Sequence, residues 1–89
     1  MKDYNEFKKT VLHAIELLKD DGVEVVAKKW AKISPYQKNR YKPEYQYPEV
    51  WLYRTDHKLG FVLTGEELQT YYNEGGMTEV KNIIINCLF

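Results

Sequence analysis

The stretch 28-KKWAKISPYQKNRYK-42 brings together Lys28, Lys29, Lys32, Lys38, Arg40 and Lys42 with no acid among them, although the formal net charge of the chain is zero. Cations at this density neutralise phosphates or meet an acidic protein surface. Tyr36 and Tyr41 stand among them, and Tyr45, Tyr47 and Trp51 follow. Such rings stack on unpaired bases, at about 1–3 kcal/mol per base, or fill protein interfaces. Gln37, Asn39 and Arg40 carry groups able to reach base edges, while the lysines suit backbone phosphates. The nucleic-acid-binding set is therefore Lys28, Lys29, Lys32, Gln37, Lys38, Asn39, Arg40 and Lys42, with Lys58 added from a later turn. The protein-binding set is Tyr45, Tyr47 and Trp51. The plainer alternative is a solvated basic face with its tyrosines packed on Trp30 or Trp51. For Trp51 a core position is favoured, and for Tyr45 and Tyr47 core and interface are even.

Catalytic chemistry has less to work with. His13 falls off the apolar stripe of its segment, and His57 sits beside Asp56 in a turn. Two histidines and the single Cys87, widely spaced, do not make a metal site, and no cofactor is expected. Glu66 and Glu67 fit the first turn of a helix, where acids favour the dipole. There is no phosphate-cradling glycine loop and no nucleophile motif. The expectation is a protein that is not an enzyme.

Eighty-nine residues, 44% hydrophobic and 29% charged, suit one globular domain spanning 1–89. No apolar run approaches the ~18 residues of a membrane span. The opening MKDYNEFKK has early acids and lacks an apolar core, which argues against a signal peptide. A lone cysteine fits a reducing cytoplasm. Charge is uneven: residues 25–43 hold cations only, while the segments on either side are net acidic.

The periodicity then supplies the elements. Residues 3–19 read as an amphipathic helix capped by Asp3 and Glu6, with Tyr4, Phe7, Val11, Ala14, Ile15 and Leu18 on one face and Leu12 and Leu17 widening it. Residues 23–33 read as a second helix, with Val23, Val26, Ala27, Trp30, Ala31 and Ile33 on one face. The valines also suit a strand, but alternation fails at Val25–Val26, and Lys29 would share a face with Ala27 and Ala31. Ser34, Pro35 and Gln37 start a short polar helix that Pro43 stops. An extended linker, 43-PEYQYPE-49, follows. The runs 50-VWLYRT-55 and 61-FVLT-64 read as a hairpin, with Gly60 able to take φ > 0 in the turn. Thr64 and Glu67 cap a helix over 65–74 that Gly75 and Gly76 end. The last segment, 78-TEVKNIIINCLF-89, fits a helix through Val80, Ile83, Ile84, Cys87 and Leu88. Its isoleucines fit a strand as well, and helix is the preferred reading.

Two stretches carry a family resemblance. The segment 23-VEVVAKKWAKISPYQKNRY-41 resembles the lead-in to a recognition helix, and 59-LGFVLTGEELQTYY-72 resembles the return strand of a wing and the helix after it. In this order the chain is similar to winged helix-turn-helix transcription regulators of the MarR and PadR kind. The resemblance implies DNA binding in transcription regulation, with Lys38, Asn39 and Arg40 nearest the groove and Lys58 as a wing contact.

The expected fold is thus α+β, a small single domain with helices packed on an antiparallel β-hairpin in winged-helix-like order. The expected function is non-catalytic nucleic-acid binding in a regulatory role. The competing class is a small protein-binding inhibitor or adaptor, of the kind phages and mobile elements encode, acting through the Tyr/Trp-rich linker and strand. The apolar end 83-IIINCLF-89 leads us to expect a homodimer through the C-terminal segment.

Overall fold

The structure, a computed structural model, describes residues 1–33 and 46–89. The fold is α+β. Helix α1 (Tyr4–Asp20) is followed by strands β1 (Val25–Ala31), β2 (Glu49–Arg54) and β3 (Gly60–Thr64), and then by α2 (Gly65–Leu88). The strands form an antiparallel sheet in the order β1-β2-β3. The described residues do not confirm a winged-helix-like order. The expected short helix over 34–42 lies outside the described residues. Of the linker, 43–45 lie outside them too, 46–48 are irregular, and Glu49 already belongs to β2.

Helix α1 forms where its caps and stripe require. The Asp3 carboxylate accepts from the Glu6 amide at 2.8 Å, and Phe7, Val11, Ala14 and Leu18 are fully buried. The capping box at Thr64 and Glu67 forms in both directions and starts α2 directly from the end of β3. Gly75 and Gly76 take non-helical dihedrals that break α2 at a kink, so its first helical stretch ends where expected and a second follows. Beyond the break, Val80, Ile84 and Leu88 join Leu68 in the core, so the helical reading of the last segment holds. A 2.8 Å ion pair from Lys81 to Asp21 ties this half of α2 to the end of α1.

The core lies between the helices and one face of the sheet, where Val25, Val50, Leu52 and Leu63 meet the apolar stripes of α1 and α2. In β2, Val50 and Leu52 are fully buried there, so Trp51 and Tyr53 point to the other face.

The main correction concerns 23–33, where a strand replaces the expected helix. Lys29 adopts φ 58, and the β1–β2 register shifts between Lys28 and Ala31. The irregularity is a bulge: Lys29 and Trp30 together oppose Val50. It reverses the side-chain phase. Val25 and Ala27 face the helices before it, and Trp30 faces them after it. The broken alternation that argued for a helix is this bulge. Trp30 packs against the core as expected, edge-on to Phe7 at 6.1 Å. A second correction lies in the hairpin turn, where His57, not Gly60, takes positive φ.

The start of α2 is wedged against the N-terminal segment. The Met1 ammonium donates to the Gly65 carbonyl, and the Gly65 amide donates to the Pro48 carbonyl at 2.8 Å. Desolvation lowers the Met1 ammonium below its usual α-amine pKa, while Glu6 and then Glu66 oppose that shift. A Cβ on Gly65 would lie 1.9 Å from the Met1 carbonyl oxygen.

Two expectations follow. Gly65→Ala forces backbone apart and should cost about 1–3 kcal/mol, read as a lower urea midpoint at unchanged m value. An unchanged midpoint would mean that Met1 does not pack there. Lys29→Gly should raise stability by about 1 kcal/mol, because glycine enters the left-handed region without steric cost. A loss of stability would place the bulge elsewhere.

Candidate nucleic-acid interface

The face of the sheet turned away from the helices collects the aromatic residues. Trp51 and Tyr53, two apart on β2, stack with centroids 6.0 Å apart and planes 18° from parallel. Tyr53 meets the His57 ring edge-on at 5.9 Å. The Lys28 ammonium lies 3.3 Å from His57 Nε2 and is the donor. The Lys29 ammonium lies 5.6 Å from the centre of the Trp51 ring. These contacts make a continuous row from Lys29 through Trp51, Tyr53 and His57 to Lys28. The rings of Trp51 and Tyr53 are half-buried, while Lys28, Lys29 and His57 are exposed.

Local chemistry holds the row in place. Gly60 pairs with Tyr53 across the hairpin, and a Cβ on it would meet the Tyr53 ring at 2.4 Å. The ring therefore lies over the glycine, which accounts for the missing side chain better than turn geometry does. The turn is organised by Asp56, which accepts from Arg54 Nη2 and from the Lys58 amide, each at 3.0 Å. Glu49 shares the face of Trp51 and is 3% exposed. Its Oε1 has no hydrogen-bond donor among the described residues.

The sequence-derived residues are divided by the fold. Lys28 and Lys29 reach the aromatic face. Lys32 does not: its ammonium lies over the Tyr4 ring at 5.8 Å, beside α1. In the expected helix Lys28 and Lys32 would have shared a face, and the strand separates them. Lys58 is exposed in the turn, next to His57. Tyr47 is half-buried, with the Lys2 ammonium 5.4 Å from its ring centre. Trp51, favoured for the core, lies on the opposite face of the sheet from it. Gln37, Lys38, Asn39, Arg40, Lys42 and Tyr45 lie outside the described residues. Tyr53 and His57 were missed by sequence reasoning. The signal for Tyr53 was the odd-numbered series Tyr45, Tyr47, Trp51, Tyr53, which places aromatic residues on one face of an extended chain.

His13 is exposed, as expected. Among the described residues no three His, Cys, Asp or Glu side chains cluster to hold a metal, and no helix is long and apolar enough to cross a membrane. An open groove of about 780 Å³ runs between α1 and the first half of α2, with Leu12, His13, Tyr72 and Met77 among its lining. Its polar and charged groups are mixed in sign and do not converge. No family model, curated protein or solved structure matches the chain.

The dependence of Tyr53 on Gly60 can be checked directly. Gly60→Ala should push the ring off its seat and weaken the Trp51–Tyr53 signal in near-ultraviolet circular dichroism, at a cost of about 1–3 kcal/mol. An unchanged near-ultraviolet spectrum would mean that the ring does not cover Gly60.

Proposed function

We propose that this protein is a non-catalytic, cytoplasmic nucleic-acid-binding protein with a regulatory role, and that its ligand is single-stranded. The observation that carries the reading is the stacked Trp51–Tyr53 pair, half-exposed on the sheet face turned away from α1 and α2 and flanked by the Lys28 and Lys29 ammonium groups. Aromatic rings on an open sheet suit unpaired bases, whose π-faces are free, better than a stacked duplex. Lysines at the rim suit the phosphates that follow the bases. The contacts proposed here lie on a sheet platform with Lys58 at its turn end, and the expected recognition helix lies outside the described residues.

The reading is tested by fluorescence anisotropy with labelled oligo-dT, oligo-U and a duplex of equal length. Single strands should bind more tightly than the duplex. Trp51→Ala and Tyr53→Ala should each weaken single-strand binding by about 5- to 150-fold, the equivalent of about 1–3 kcal/mol. Replacing Lys28 and Lys29 together by Ala should flatten the log–log salt slope by about 1.4, at about 0.7 per phosphate contact. Failure of the wild type to bind at low salt, or binding indifferent to Trp51→Ala, would end the proposal. The competing class, a protein-binding inhibitor or adaptor, would use the same rings and would show a shallow salt dependence with a protein partner.

A further inference from the structure

The two edges of the sheet are built differently. The β1 edge carries the bulge, and Lys28 and Lys29 are both exposed on it. Bulges and edge lysines are the usual guards against strand addition. The β3 edge has neither. Its sequence, GFVLT, contains no charge, no proline and no register shift against β2.

The hydrogen-bond phase of β3 identifies the groups on that edge. Arg54 donates to the Leu59 carbonyl at 3.1 Å, and Gly65 donates to the Pro48 carbonyl at 2.8 Å. Between these two bonds the register is continuous, with Leu52 opposite Phe61 and Val50 opposite Leu63. Bonded and non-bonded pairs alternate in an antiparallel ladder. Leu59, Phe61, Leu63 and Gly65 therefore turn their backbone groups toward β2, while Gly60, Val62 and Thr64 turn theirs outward. The Thr64 amide is taken by Glu67 Oε1 at 3.3 Å. The amides and carbonyls of Gly60 and Val62 have no protein partner among the described residues, while the Thr64 carbonyl, at the N-cap, takes the first bond of α2.

We infer that β3 pairs with β3 of a second copy of this chain, antiparallel and centred on Val62. In that register Val62 and the partner's Val62 exchange both backbone bonds. Each Gly60 comes opposite the partner's Thr64, whose backbone groups are already held by the start of α2. Phe61 stands opposite the partner's Leu63 on the helix side of the sheet. Charge selects a second copy over an arbitrary strand. Lys58 and Glu66 lie equally far from Val62 along the chain, so the basic turn of one copy comes opposite the acidic first turn of the other copy's α2. Antiparallel edge pairing about a two-fold axis keeps like faces together. The result is a six-stranded sheet whose two Trp51–Tyr53 rows share one face, on β2 strands about 14 Å apart. The pairing stands without the nucleic-acid reading and would double its platform.

A single edge of this length makes a small interface, so the dimer is weak and concentration-dependent, forming at about 0.1–1 mM. Sedimentation equilibrium in the absence of nucleic acid, carried to about 1 mM, should show it. Hydrogen exchange at the Val62 amide should slow as concentration rises. Val62→Pro removes an outward amide and no β2 bond; it should keep the far-ultraviolet spectrum and abolish dimerisation. Lys58→Glu and Glu66→Lys should each weaken the dimer about 2- to 5-fold per pair, and the double swap should restore it. A wild type that stays monomeric throughout overturns the inference. So does a dimer that survives Val62→Pro or shows no change in Val62 exchange. A dimer lost only in Phe89→Asp would return self-association to the C-terminal segment, where Phe89 is 62% exposed.

Discussion

One residue in the left-handed region sets the phase of the sheet. Without the bulge at Lys29, side chains along β1 would alternate without interruption, and Trp30 would share a face with Lys28. With it, Trp30 turns inward to meet Phe7 edge-on while Lys28 stays outward beside Trp51. A left-handed conformation costs a lysine about 1–2 kcal/mol relative to glycine. Burial of part of an indole against α1 offsets a cost of that size. The Lys29 ammonium also ends up over the Trp51 ring. The same distortion therefore joins the core on one side of the sheet to the cationic rim on the other.

The central strand β2 carries both faces at once. Val50 and Leu52 are sealed under the helices, and Trp51 and Tyr53 alternate with them on the other side. A strand paired on both sides cannot slip by one residue without exchanging these sets, so burial of two aliphatic side chains fixes where two aromatic ones appear. The Tyr53 ring then needs an empty position across the ladder, and Gly60 supplies it. Core packing and platform geometry are therefore the same constraint read from opposite faces.

What the sequence made legible follows from how local each signal was. The caps at Asp3 and at Thr64–Glu67 and the stripe of α1 depend on neighbours within one turn, and they appear where expected. The hairpin is similarly local. Strand β1 was not legible because its alternation is broken by a bulge with a lysine where glycine is the usual occupant, so no residue type marks it. Lys28, Lys29 and Lys32 stand close together in the sequence as a cationic group. Their division between two faces depended on strand parity, which the helical reading did not contain. His57 joins the candidate site only because the turn folds it back onto Tyr53, a tertiary contact with no signature in spacing.

The fold also bears on why a chain of zero net charge concentrates its cations. The acids of α2, Glu66, Glu67, Glu74 and Glu79, belong to the helical layer, as do Asp20 and Asp21 at the end of α1. Lys28 and Lys29 belong to the opposite face of the sheet. Packed layers stand about 10 Å apart, and the Debye length at physiological ionic strength is about 8 Å. Charges separated by such a layer are largely screened from one another where they face solvent, so balance over the whole chain does not cancel the field at one surface. Among the described residues, the nearest acids of the aromatic face are themselves engaged or enclosed: Asp56 is paired with Arg54, and Glu49 is buried. Of these residues, an incoming polyanion would meet Lys28, Lys29 and the rings first. Sequence asymmetry thus becomes spatial asymmetry through the sheet that divides the domain, and net charge is the wrong quantity by which to judge what such a surface attracts.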